Sequence, residues 1–149
     1  MKHELILLGK TKDVFIAEGI KEYSSRLNHY TKFFITVLKE RGKPSLNQQG
    51  SQLLRASAAS SLLVVLDENG RQFSSEEFSR KIGDWEMRGL KKICYLIGGP
   101  RGHAKKVVAE ADLLLSFSKM TFTHDMIRML LVEQLYRAYT IKAGEKYHK

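Results

Sequence analysis

Ile93-Cys94-Tyr95-Leu96-Ile97-Gly98-Gly99-Pro100-Arg101-Gly102-His103 is an apolar run that stops in a glycine-rich loop. An uninterrupted apolar run of strand length, bounded by a turn signal, reads as a strand covered on both faces, the habit of parallel sheets. Working outward, His3–Leu8, Phe33–Leu38, Leu62–Leu66 and the short Asp112–Ser116 read as further strands. Helical patterns separate them. Ile16, Ile20, Tyr23 and Leu27 mark one helix face, and the polar stretch Asn47–Ser61 predicts a second helix. Ser74 and Glu77 form a capping box ahead of a helix that presents Phe78, Ile82 and Trp85. Ala104–Ala111 predicts a short helix, and Ile127, Leu130, Leu131, Leu135 and Ala138 line the longest, from about Asp125 to Ile141. Strands alternating with helices make this an α/β chain with a mostly parallel sheet and helices on both faces. One domain over residues 1–149 is expected at this length.

Composition narrows the function. The formal net charge is +9, with basic ends and a nearly balanced middle, which favours an anionic partner such as nucleic acid. Cys94 is the single cysteine, which excludes an intrachain disulfide and a cysteine metal cluster; inside its apolar run it reads as an inert buried thiol. The five histidines, His3, His29, His103, His124 and His148, show no ligand spacing, so no metal is expected. No apolar run reaches membrane-spanning length and Met1-Lys2-His3-Glu4 does not open a signal peptide, so a cytoplasmic location is expected.

Two loops carry the candidate chemistry. Gly98-Gly99-Pro100-Arg101-Gly102 follows a buried strand and lets backbone approach a ligand closely, although it is not a phosphate-binding loop of the GxxxxGK[ST] kind. Phe117–Phe122 supplies hydrogen-bonding Ser, Thr and Lys beside Phe and Met able to cover a ring. Loops at the carboxyl ends of parallel strands form small-molecule crevices. Beyond them, Asp125 reads as the cap of the last helix, and Asp67-Glu68-Asn69-Gly70 as a turn. Glu133 and Arg137 are four apart and can pair on the helix surface, while Arg128 and Arg137 alternatively suit phosphate contact. Tyr147 and His148, in a tail where chains usually fray, can stack on a base and move a proton.

Taken in order, Leu66-Asp67…Gly70, Ile97-Gly98-Gly99-Pro100-x-Gly102, Leu115-Ser116-Phe117-Ser118-Lys119-Met120-Thr121-Phe122-x-His124-x-x-x-Arg128, Glu133-Gln134-Leu135-Tyr136-Arg137-Ala138 and Tyr147-His148 closely resemble one family over the whole length. It is the ribosomal large-subunit RNA pseudouridine N3-methyltransferase family, a minimal member of the SPOUT class. The resemblance implies a C-terminal deep trefoil knot, a homodimer and S-adenosyl-L-methionine bound by the knotted loops. Carried over, the cofactor contacts fall on Leu66, Gly98, Phe117, Ser118, Lys119, Met120, Thr121 and Phe122. The implied substrate is a pseudouridine of 23S rRNA in the assembled ribosome, methylated at N3. His148 and Tyr147, with Arg128 or Arg137, are the implied catalytic group that orients the base and handles its proton. Two positions depart from the family pattern: Thr123 stands where proline is common, and Arg101 makes the glycine loop more basic. A non-catalytic ribosome-binding factor and a SPOUT enzyme acting on transfer RNA are the competing readings; the intact loop pair argues against the first and the small size against the second.

Overall fold

The computed structural model describes residues 1–149. In chain order its elements are β1 (Lys2–Leu8), α1 (Val14–Leu27), β2 (Lys32–Leu38), α2 (Leu46–Ala56), β3 (Leu62–Arg71), α3 (Ser75–Met87), β4 (Lys92–Ile97), α4 (Lys105–Glu110), β5 (Leu113–Leu115) and α5 (His124–Lys142). The five strands are all parallel and lie in the order β2-β1-β4-β3-β5. The apolar runs are central because their alternate side chains enter different cores. Leu5, Leu7, Val64, Tyr95 and Ile97 meet α1, α3 and α5 on one face, and Ile6, Leu8, Val65, Cys94 and Leu96 meet α2 and α4 on the other. The α/β reading therefore holds, strand by strand.

Helix starts follow local chemistry. Asp13 caps α1 through Ile16 N–H at 3.0 Å, and Ser45 with Gln48 and Ser74 with Glu77 form reciprocal capping boxes on α2 and α3. The α2 helix stops at Ala56, short of the expected Ser61, because Ser61 is drawn elsewhere: its Oγ accepts the N–H groups of Lys91 and Lys92 at the start of β4. The cap of α5 is Thr123, whose Oγ1 accepts from Met126 N–H, and not Asp125. The Asp125 carboxylate instead reaches the β1–α1 loop, where it accepts the N–H groups of Lys12 and Asp13, each at 3.0 Å.

The expected turn at Asp67–Gly70 is also corrected. It is an irregularity inside β3, which continues to Arg71 because Leu115 pairs with both Leu66 and Arg71. The short β5 is held by both halves of β3, and Ser116 N–H donates to Arg71 O at 3.0 Å. Gly70 is required there, since a Cβ would lie 2.7 Å from the carbonyl carbon of Leu114. Cys94 is buried as expected, and burial pushes its thiol up to about 12, which keeps it inert. In the helix-covered core, His3 is fully buried between the hydroxyls of Tyr95 at 2.9 Å and Tyr139 at 2.8 Å.

Candidate active site

Because every strand runs the same way, the loops after β3, β4 and β5 gather at one edge of the sheet. They enclose a cavity of about 790 Å³, within the range of small-molecule sites. The glycine-rich loop forms one wall. Gly102 N–H closes onto Gly99 O at 3.0 Å, and a Cβ on Gly98 would stand 2.7 Å from Gly102 O, so only glycine permits this fold of the loop. The opposite wall is the segment after β5, where Ser116 Oγ donates to Ser118 O at 3.0 Å and Ser118 Oγ accepts from Met120 N–H at 3.0 Å. Leu66, Gly98, Phe117, Ser118, Met120, Thr121 and Phe122 all line the cavity. Lys119 does not; it lies on a shallower adjoining depression with Asn69 and Gln72.

The walls are rich in unused backbone. The N–H groups of Gly98, Phe117 and Ser118 donate to nothing within the protein. Such groups are the donors and close approaches that hold the polar edges of a nucleoside. Asp67 and Glu68 add carboxylates, and His103, His124 and Ile127 also line the cavity. None of these five figured among the cofactor contacts expected from the sequence. The acidic pair was legible only as a turn, and His103 only as the residue after the glycine loop. Burial holds the His103 imidazole below its ordinary pKa, against the opposing pull of Asp67 and of the Leu66 and Leu96 backbone, so it is neutral.

The four candidate catalytic residues do not form one group. Arg128 is 1% exposed. Its Nη1 donates to Gly9 O at 3.1 Å and Thr11 Oγ1 at 3.2 Å, and its Nη2 to Leu8 O at 3.0 Å. The expectation that Arg128 orients the base is therefore corrected: its fork is enclosed in protein and ties the end of β1 to α5.

Arg137, Tyr147 and His148, by contrast, come together. The tail folds back on α5, with the Tyr147 ring 4.7 Å from Tyr136 and the Arg137 guanidinium 4.7 Å over the Tyr147 ring. Arg137 Nε donates to Glu133 Oε1 at 3.1 Å, bearing out the surface pair, and the Tyr147 hydroxyl donates to the same oxygen at 2.8 Å. Arg137 Nη1 lies 3.2 Å from His148 Nδ1 and Glu76 Oε1 lies 2.7 Å from His148 Nε2. Arginine can only donate, so in the neutral imidazole Nδ1 accepts and Nε2–H points to Glu76. That bond, the largest cause, holds the Glu76 carboxyl down at about 2. Burial first, then Tyr23 and Glu133, push the Tyr147 phenol well above its ordinary value, so it is a neutral donor at physiological pH.

This cluster is remote from the cavity. Neither Arg137 nor the tail lines it, whereas His124 at the start of α5 does. Thirteen residues of helix separate His124 from Arg137, roughly 20 Å at 1.5 Å per residue. No group of His, Cys, Asp and Glu has the arrangement of a metal site.

The comparisons with known proteins agree with this geometry. Residues 1–148 match the family described as "Predicted SPOUT methyltransferase". The chain is 58% identical over 153 residues to ribosomal RNA large subunit methyltransferase H of Desulfotalea psychrophila, covering 100% of both chains. It is 44% identical over 155 residues to the protein of that name from Christiangramia forsetii, covering 99% of each. Among solved structures, the probable methyltransferase of Bordetella pertussis superposes with a TM-score of 0.61 at 10% identity, covering 93% of this chain and 96% of that one. Lpg2936 of Legionella pneumophila, solved in complex with the bound cofactor SAM, gives 0.55 at 11% identity, covering 93% and 66%. With full-length identity on one side and a shared fold on the other, the chain belongs to the SPOUT methyltransferase family, in the group whose members carry the name ribosomal RNA large subunit methyltransferase H.

Proposed function

We propose that this protein, a single methyltransferase domain over residues 1–149, transfers a methyl group from S-adenosyl-L-methionine to N3 of a pseudouridine in 23S rRNA of the assembled ribosome. The observation that carries the reading is the cavity between two glycine- and serine-rich loops, walled by free backbone donors, in a chain 58% identical end to end to a large-subunit rRNA methyltransferase. The cofactor fits what is present. Gly98, Phe117, Ser118 and Thr121 offer backbone to an adenine or ribose edge, Leu66, Met120 and Phe122 cover apolar surface, and Lys119 flanks the mouth. The Asp67 and Glu68 carboxylates suit ribose hydroxyls and a cationic sulfonium. Bound there, the cofactor supplies an electrophilic methyl group on a good leaving group, so positioning accounts for much of the rate.

The protein's own part is to hold the base in line and take the proton from N3. Arg137 and Tyr147 are donors that fix the base, and His148, whose Nδ1 is an acceptor, takes the proton. Because this cluster stands at the far end of α5 from the cavity, the reaction requires a homodimer in which the tail of one chain serves the cavity of the other. A surface for that pairing lies at the cavity end of α5. Val14 and Phe15, 68% and 85% exposed, open α1, and the exposed Met126 lies in the first turn of α5; the Asp125 carboxylate joins the two helix starts.

The C-terminal deep trefoil knot belongs to this reading; β5, whose wall carries the cofactor loop, is backbone-paired to β3 at Leu66 and again at Arg71. No helix is long and apolar enough to cross a membrane, and the site of action is the cytoplasm, where ribosomes are.

The test uses methyl-labelled S-adenosyl-L-methionine, ribosomes lacking the modification, and nucleoside analysis of the large-subunit RNA. Label in N3-methylpseudouridine is the expected result; label in uridine or transfer RNA, or none despite cofactor binding, overturns the reading.

A further inference from the structure

We infer that the loops closing β1, β2 and β4 form a phosphate track along which the sugar-phosphate backbone of the substrate RNA lies, leading to the cavity mouth. This rests on the proposed function and names the surface that holds the RNA. In a parallel sheet all these loops share the edge on which the cavity opens. Strands about 4.8 Å apart put the ends of β2, β1 and β4 within roughly 10 Å of one another. Those loops carry Lys10, then Lys39, Arg41 and Lys43, then Arg101, every one of them exposed. None of the five takes part in an ion pair. The one acid within the β2–α2 loop, Glu40, accepts a hydrogen bond from Gln49 Nε2 at 3.2 Å.

The track is held in place. Gly9 N–H donates to Leu38 O at 2.9 Å and joins the ends of β1 and β2, and the Arg128 fork fixes Leu8 and Gly9 just before Lys10. Gln52 Nε2 donates to Lys39 O at 3.0 Å, and Arg101 Nη2 donates to Pro44 O at 2.7 Å, which fastens the basic loop to the glycine loop of the cavity. Unpaired cations on fixed backbone, in a row that ends at the active site, suit a ligand with regularly repeated negative charge. Such contacts set register and orientation without reading sequence.

The experiment compares two triple variants of the full chain in binding to unmodified ribosomes over a range of salt. One is Lys39→Ala/Arg41→Ala/Lys43→Ala. The other removes three exposed, unpaired cations elsewhere, Arg80→Ala/Arg88→Ala/Lys91→Ala. Both lower the net charge equally. At about 0.1 M salt the first should lose at least tenfold in affinity, with the slope of log K against log salt shallower by about 2, since each single-strand phosphate contact contributes about 0.7. The matched triple should stay within twofold of wild type, and both should keep wild-type cofactor affinity and melting temperature. Equal losses in the two triples, or no loss in the first, overturn the track. A wild-type slope near zero overturns it as well and assigns the surface to a protein partner. Methyl transfer by wild type is scored separately, so the track can fall while the function stands, and a failure of methyl transfer does not alter what the binding comparison decides.

Discussion

The two ends of α5 use the same residue type for opposite purposes. Near its start Arg128 is enclosed, with its fork on the carbonyls of Leu8 and Gly9, and Asp125 holds two backbone N–H groups of the same loop. Near its end Arg137 is partly exposed and bonds to side chains alone, Glu133 and His148. Backbone partners cannot rotate away, so the first end is fixed scaffold. Side-chain partners exchange readily, so the second end can release its groups to a substrate. An arginine's partners, more than its place in a motif, tell which task it has.

The largest effect expected from breaking this contrast is on stability. Arg128→Ala leaves the β1 carbonyls without donors and a void beneath the loop, and should cost about 3 kcal/mol or more in chemical denaturation. Arg137→Ala removes a surface pair and should cost under about 1 kcal/mol, yet slow methyl transfer about 100-fold with cofactor affinity unchanged. If the two variants exchange these outcomes, the division between scaffold and catalyst is wrong. His148→Ala should also bind cofactor normally and lose methyl transfer; a wild-type rate removes it from the mechanism.

A mixing experiment sharpens the same contrast. Arg137→Ala and Gly98→Val chains should each be strongly impaired on different grounds, the second because its side chain collides with Gly102 O. If tail and cavity come from different chains, each mixed dimer regains one working site, about half of the wild-type dimer's activity; no recovery means that each chain serves itself.

The most gradual effect, spread over several pH units, concerns His3, whose pKa is lowered to about 3, chiefly by burial. In the unfolded chain the imidazole titrates near its ordinary value, about 6.5. Between these values the unfolded state binds the extra proton, so stability falls as pH drops from about 6.5 toward 3, by at most about 1.4 kcal/mol per pH unit. Denaturation of wild type and His3→Gln across this range should show a shallower slope in the variant.

Much of this was legible in the sequence where a signal is local. Leu62–Leu66 and Ile93–Ile97 are strands because nothing in them tolerates water, and Ser74 with Glu77 announces a helix within four residues. The cavity walls were legible too, since Gly98 and the segment Phe117–Phe122 follow strands that must end at one edge. What escaped was set by distant chain. Asp125 and Thr123 are equally good caps on local chemistry, and the choice was made by Lys12 and Asp13, more than a hundred residues away. Arg128 reads as a phosphate ligand until β1 surrounds it. The tail reads as frayed until Tyr136 and Glu133 are seen to receive it.

The pairing of Leu115 with both Leu66 and Arg71 has a consequence for synthesis. What closes the cavity (the last strand, the wall after it and the helix that steadies the β1 loop) lies in the last quarter of the chain. During synthesis the first three quarters of the fold are therefore made before a working site exists. The active site is the last part of the fold to be assembled.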